Sequence, residues 1–177
     1  MKHLVFALVL SASAWGAVAP NFRGEILGGS TASVEKFLQP DKLLLVSFWA
    51  TWCLPCMDEL THVRDYLKAH PDFPLTVLTV NVDTEQRSEV GATVRQMDIP
   101  FPVLMDGQME ILRKFHKEGS IPFSVVLDSK REILDRFSGY HDSMFGKIAE
   151  HAKKAGLGKK PEAPKEAKAP TPTKAKS

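Results

Sequence analysis

The hydrophobic pattern between residues 31 and 157 alternates between strand-like and helix-like segments. Residues 43–48 form a continuous apolar run, which is typical of a strand buried on both faces. Residues 75–82 are rich in β-branched side chains and predict a second central strand. Residues 123–127 and 132–137 are strand-like runs joined by a polar turn, so they predict an antiparallel hairpin.

Other segments carry apolar residues at helical spacing. Helices are predicted over residues 53–70, 85–97 and 109–116, with a last helix from Asp142 or Ser143 to about Gly156. A short apolar stretch lies at residues 101–105. A strand–helix–strand unit, then a hairpin and a helix, predicts an α/β fold: a central mixed sheet flanked by helices on both faces.

The first 19 residues differ from this body and have the pattern of a secretory signal. Lys2 supplies the positive charge, residues 4–10 are apolar, and small residues follow. Cleavage is expected after Ala14, Ala17 or Ala19. Retention as a membrane anchor is the alternative, although the apolar run is short for a bilayer span. We therefore expect an exported protein, located in the periplasm or another extracytoplasmic space.

Residues 158–177 form a tail of lysine, proline, alanine, threonine and glutamate. The tail lacks large apolar side chains that could offset chain entropy, so it is predicted to be disordered. The folded domain is accordingly expected over residues 20–157. The formal net charge of +2 arises from the lysines of the two ends, and the body is mildly acidic. Nothing in this balance indicates nucleic acid as a partner.

The chain has two cysteines, Cys53 and Cys56, at the predicted start of a helix. A disulfide that closes so short a loop stabilises little, which favours a reactive role over a structural one. A helix N-terminus stabilises a thiolate, the nucleophile of disulfide exchange. We expect Cys53 at the exposed start to exchange with a substrate, and the more buried Cys56 to close the intramolecular bond.

Three alternatives for this pair stay open. A zinc site would need further ligands, such as His62, His116 or His141. A papain-like Cys–His hydrolase would leave Cys56 unexplained. An inert structural disulfide would gain little from so tight a loop. Redox exchange is the favoured hypothesis, and it implies neither a metal nor another cofactor.

The string Phe-Trp-Ala-Thr-Trp-Cys-Leu-Pro-Cys at residues 48–56 resembles the thioredoxin superfamily, and more specifically the TlpA/ResA-like extracytoplasmic thioredoxins. The segment Gly-Ser-Ile-Pro-Phe at 119–123 is a second point of resemblance. The resemblance covers residues 31–157 and implies a thioredoxin fold with a TlpA-like helix–strand insertion before the proline. It also implies a cis bond before Pro122, which would lie beside Cys53, and a backbone at Ile121 that pairs with substrate. A trans proline opening an edge strand is the alternative.

The same resemblance bears on proton transfer and substrate contact. Thioredoxin has a buried aspartate six residues before its first cysteine, where this chain has Ser47. TlpA-like proteins instead carry a glutamate three residues after the second cysteine, which implies that Glu59 accepts the proton of Cys56. An ordinary first-turn helix glutamate is the alternative. Trp52 is expected to form an apolar rim for substrate, and Trp49 to lie in the core.

These observations predict a monomeric thiol–disulfide oxidoreductase that reduces disulfides of exported proteins, with cytochrome c maturation as the role that the resemblance suggests. A membrane-embedded thiol electron donor would regenerate the dithiol, because the compartment is oxidising. A disulfide-forming oxidase or isomerase, or a thioredoxin-like binding module without turnover, are the alternatives. Peroxiredoxins carry a threonine or serine and a proline where this chain has Ala50 and Val46, which argues against a peroxidase.

Overall fold

The computed structural model describes residues 17–84 and 87–158. Most of the predicted signal segment and nearly all of the predicted tail therefore lie outside the described residues. None of the helices within residues 17–84 and 87–158 combines the length and the apolar character that a bilayer span requires.

Seven strands and four α-helices make up the described fold. The strands are β1 (Arg23–Ile26), β2 (Thr31–Ser33), β3 (Leu43–Trp49), β4 (Leu75–Asn81), β5 (Val103–Met105), β6 (Phe123–Leu127) and β7 (Ile133–Ser138). The helices are α1 (Leu54–Ala69), α2 (Arg87–Gln96), α3 (Glu110–Phe115) and α4 (Met144–Lys154), and a 3₁₀ helix spans Val34–Phe37. Each predicted strand and helix is confirmed, with ends that shift by a few residues.

All seven strands belong to one mixed sheet in the order β2-β1-β5-β4-β3-β6-β7. Strand β3 is central and pairs in parallel with β4 and antiparallel with β6. Strand β5 joins β4 in parallel, so the α2–β5–α3 segment between β4 and β6 adds a strand to the sheet. This segment contains the additional helix and the strand of the insertion that the resemblance implied.

Helices cover both faces of the sheet because alternate side chains of β3 point in opposite directions. Leu44, Val46 and Phe48 belong to one buried cluster together with residues of α2 and α3. Leu43 and Leu45 belong to the other, together with residues of α4. Helix α1 lies on the α4 side, where one of its side chains reaches Ser47 of β3.

Strands β1 and β2 were not predicted from the sequence. They are three to four residues long, and most of their residues are at least partly exposed. Strands of this kind lack the apolar alternation that identifies a strand in sequence. The described fold also includes residues 17–19, because the Ala19 N–H donates to the carbonyl of Arg131 and Val18 pairs with Glu132.

Candidate active site

The two cysteines lie at the junction between β3 and α1. Cys53 is the N-cap residue of α1 and Pro55 occupies its first turn, where a missing N–H costs no helical hydrogen bond. A disulfide joins Cys53 to Cys56, with their Cα atoms 5.3 Å apart. The N–H of Cys56 also donates to the Cys53 sulfur at 3.3 Å. This N–H and the helix dipole would stabilise a thiolate at Cys53 once the bond is reduced.

The exposure of the cysteines differs from the prediction in one respect. Cys53 was expected at an exposed helix start, but its exposed fraction is 6%, against 1% for Cys56. The expectation of an exposed Cys53 is therefore wrong for the disulfide form, while the order of burial is the predicted one. Both cysteines belong to the buried cluster that contains Leu44, Val46 and Phe48 of β3.

Exposed apolar side chains flank Cys53 on both sides along the chain. Trp52 is 66% exposed and Leu54 is 69% exposed, which makes them two of the three large apolar side chains exposed in the described part of the chain. A groove of about 400 Å³ beside Trp52 is also lined by Thr51 and by residues of α2. Trp49, by contrast, is fully buried, so its predicted place in the core is confirmed.

A buried carboxylate fixes the loop that leads to Cys53. Asp83 follows β4 and accepts hydrogen bonds from the Thr51 N–H at 2.9 Å and from the Thr51 hydroxyl at 3.2 Å. The Asn81 side-chain amide donates to the same carboxylate at 2.7 Å. Because β3 and β4 are parallel neighbours, their carboxyl ends meet at one edge of the sheet, and Asp83 links this edge to the active-site loop.

Glu59 lies one helical turn beyond Cys56 and is fully buried. Its Oε1 accepts hydrogen bonds from the hydroxyl of Ser47, at 2.9 Å, and from the hydroxyl of Ser124. Its Oε2 is buried without a hydrogen-bond partner. Burial raises the pKa of Glu59, and the two hydroxyls and the charge of His141 oppose this rise. Glu59 is buried and lies beyond the first turn of α1, so it is not the first-turn glutamate of the alternative, while its role as proton acceptor stays a prediction.

The proline loop lies at the same end of the sheet as the cysteines. The Ile121–Pro122 peptide bond is cis, as the resemblance implied. The next residue, Phe123, pairs with Phe48, which places Pro122 near the end of β3 from which the active-site loop leaves. The Pro122 carbonyl accepts a hydrogen bond from the Gly139 N–H at 3.0 Å. The roles of Ile121 and Pro122 in binding substrate stay predictions.

His116 holds this loop from the side of α3. One of its ring nitrogens is 2.6 Å from the hydroxyl of Ser120, and its ring stacks on Phe123 with 4.7 Å between ring centroids. His62 stacks in the same way on Tyr140, at 4.4 Å. Among the described residues, no group of three histidine, cysteine or acidic side chains is arranged to hold a metal ion.

The site thus has three parts: the Cys53–Cys56 disulfide, the buried carboxyl group of Glu59 one helical turn further along α1, and the loop with the cis bond before Pro122. Residues 15–117 match the AhpC/TSA family, which is more than half of the chain. The chain belongs to the AhpC/TSA family. The resemblance to TlpA/ResA-like thioredoxins is confirmed by its relatives as well.

One relative is the thioredoxin-like protein YneN of Bacillus subtilis, 36% identical over 93 residues that make up 51% of this chain and 53% of YneN. Another is the thiol-disulfide oxidoreductase ResA of Bacillus thuringiensis, 29% identical over 56% of each chain. The crystal structure of StoA from Bacillus subtilis is similar with a TM-score of 0.57 and 27% identity, covering 79% of this chain and 98% of StoA. The chain spans about half the length of the curated relatives it matches. The fold is the thioredoxin fold.

Two residues of the site were missed in the sequence. Asp83 follows the second parallel strand, and a polar residue at the carboxyl end of such a strand is a signal that could have identified it. Ser124 is the second residue of a buried apolar strand, where a hydroxyl needs a partner. The sequence does not show that this partner is Glu59, because 65 residues separate them.

Proposed function

We propose that this protein is a thiol–disulfide oxidoreductase that reduces disulfides in exported proteins. The observation that carries the proposal is the disulfide between Cys53 and Cys56 at the N-terminus of α1. The similarity of the chain to ResA, which is named a thiol-disulfide oxidoreductase, supports the proposal. A disulfide that closes so short a loop adds little to the stability of the fold, whereas a helix N-terminus stabilises a reactive thiolate.

The reaction would proceed in two exchanges. The Cys53 thiolate attacks one sulfur of a substrate disulfide, and the other substrate sulfur leaves as a thiolate that takes a proton from water. Cys56 then transfers its proton to the Glu59 carboxylate and attacks the Cys53 sulfur. The second substrate thiolate leaves, so the substrate gains two electrons and the protein becomes the disulfide.

Substrate contact would involve Trp52 and the backbone at Ile121. Trp52 is exposed beside Cys53, and an exposed aromatic side chain provides apolar contact area around a docked segment. The cis-proline loop lies at the same sheet edge. We propose a monomeric protein whose partners are disulfide-containing exported proteins and a membrane-embedded thiol donor that restores the dithiol. Cytochrome c maturation, which the resemblance suggested, is the first process in which to seek the substrate.

The proposal includes export with removal of the signal segment. Cleavage after Ala14 fits the fold best, because the Ala17 carbonyl accepts a hydrogen bond from the Ile133 N–H, and Ala19 is buried with its N–H bonded to the Arg131 carbonyl. Cleavage after Ala17 would remove the first of these contacts, and cleavage after Ala19 would remove both. Mass measurement of the exported protein would identify the mature N-terminus, and a chain that begins at Val18 or Pro20 would contradict the preference for Ala14.

The equilibrium potential of the cysteine pair tests the direction of electron flow. The measurement uses glutathione or dithiothreitol buffers and tryptophan fluorescence as the readout. A potential near that of thioredoxin, about −270 mV, is expected for a reductant. A potential near about −120 mV would overturn this direction in favour of a disulfide-forming enzyme.

A further inference from the structure

Two serine hydroxyls converge on one oxygen of Glu59. Ser47 of β3 and Ser124 of β6 are direct partners in the antiparallel register, so their side chains project from the same face of the sheet. Both are buried, with exposed fractions of 1% and 0%. They interrupt strands that are otherwise almost entirely apolar. We refer to Ser47 and Ser124 as the serine pair.

The serine pair leaves the two carboxyl oxygens of Glu59 in different surroundings. Both hydroxyls donate to Oε1, whereas Oε2 has no partner. A proton on Oε2 leaves Oε1 able to accept both bonds, and the carboxylate can accept the same two bonds. The serine pair therefore fits both protonation states, and Oε2 is the oxygen whose protonation changes.

Cys56 and Glu59 are three residues apart on α1 and both are buried. Residues at this spacing lie on the same helix face and are neighbours. The serine pair is on the adjoining strands, so it contacts Glu59 from the side of the sheet. This arrangement separates proton exchange, on the helix, from the hydroxyls that hold the carboxyl group.

We propose that the serine pair consists of positioning residues that hold Oε1 of Glu59 and set the pH at which Glu59 accepts the proton of Cys56. The proposal rests on the proposed function, since it assigns a role within the second exchange. In this step the S–H bond of Cys56 breaks and an O–H bond forms at Oε2 of Glu59. The bond that forms between the Cys56 and Cys53 sulfurs releases the substrate thiolate.

Three features of the surroundings of Glu59 determine the pH at which its carboxyl group loses its proton. The serine pair contributes neutral donors from β3 and β6, and His141, which lies between β7 and α4, contributes a positive charge when it is protonated. Both favour the carboxylate, while burial disfavours it. The Cys53–Cys56 disulfide is uncharged, so a titration of the oxidised protein separates Glu59 from the titration of thiols.

The first experiment titrates Glu59 directly. Oxidised protein with ¹³C-labelled glutamate is titrated by NMR, and Glu59→Gln identifies the signal. Ser47→Ala and Ser124→Ala are each expected to raise the midpoint by about one pH unit, because each removes a donor that favours the carboxylate. Thr79→Val is the matched control: Thr79 is buried on β4 beside Ser47, but its hydroxyl donates to the Pro102 carbonyl.

The second experiment follows the rate at which Cys56 resolves the mixed disulfide formed by the reduced protein with oxidised glutathione. Acid quenching and mass measurement report this rate against pH. In the serine variants, the fall of this rate at acid pH should shift to higher pH. In a Glu59→Gln background, the serine substitutions should leave the acid side of the pH profile unchanged. Midpoints equal to the wild-type value in both folded serine variants would overturn the inference. A wild-type protein that reduces no disulfide would refute the proposed function, while the titration would still test the serine pair.

Discussion

The buried carboxylate of Asp83 should stabilise the loop that leads to Cys53 more strongly than Asp128 stabilises the turn between β6 and β7. Its carboxylate is 7% exposed and accepts three hydrogen bonds, two from Thr51 and one from Asn81. Substitution by alanine removes all three and leaves the Thr51 N–H and the Asn81 amide without this acceptor. Asp83→Ala is therefore expected to destabilise the fold and to loosen the loop that ends at Cys53.

The magnitude follows from opposing contributions. A hydrogen bond to a charged acceptor contributes about 1.5–3 kcal/mol. Removal of a buried carboxylate also relieves its desolvation cost, and water can reach the half-buried Thr51, so the three bonds do not add fully. We expect a loss of about 3 kcal/mol in the free energy of unfolding, which corresponds to one or two of the three hydrogen bonds at full strength.

Urea unfolding of the oxidised protein, followed by tryptophan fluorescence, measures this loss. Amide hydrogen exchange should show faster exchange at Thr51. Asp128→Ala is the control, because Asp128 accepts from the N–H groups of Lys130 and Glu132 in the turn at the other end of β6. It is expected to cost about 1 kcal/mol and to leave Thr51 unchanged. A loss below about 1 kcal/mol in Asp83→Ala, or unchanged exchange at Thr51, would refute the reasoning.

Three further predictions concern single side chains. The raised pKa of Glu59 means that the folded state binds its proton more tightly than the unfolded chain. The resulting stabilisation is lost as pH rises through the raised pKa, by about 1.36 kcal/mol per pKa unit. Glu59→Gln should remove this decline from urea unfolding measured across pH, and parallel curves would contradict it. Leu60→Ala truncates a fully buried side chain and should lower the free energy of unfolding by about 2–5 kcal/mol. Leu54→Ala, at an exposed position, should lower it by less than about 0.5 kcal/mol, and equal losses would refute the packing argument. Trp52→Ala should raise KM for a protein disulfide and leave the potential of the cysteine pair unchanged; an unaltered KM would argue against a docking role.

The central strands and the cysteine site could be predicted because their signals are local. The run of β3 is apolar at each position but Ser47, and the cysteines follow it within a few residues. Strands β1 and β2 could not be predicted in this way, since they are short and are defined by the pairing of β1 with β2 on one side and with β5 on the other. Their side chains carry little information about this pairing.

The surroundings of the cysteines depend on contacts between distant parts of the chain. The sequence indicates Glu59 through a resemblance, but its burial and its bonds to Ser47 and Ser124 arise only when β3, β6 and α1 pack together. The burial of Cys53 was missed for the same reason: a helix start is usually exposed, and here the apolar core encloses it.

The most direct test of the central claim is to trap the mixed disulfide. Reduced Cys56→Ser protein is mixed with a disulfide-containing protein substrate, and the covalent complex is identified by mass measurement, with Cys53→Ser as the matched control. The account predicts a complex linked through Cys53 in the Cys56→Ser variant, and loss of turnover in both variants. Disulfide reduction that continues in Cys53→Ser, or the absence of any complex at Cys53, would contradict it.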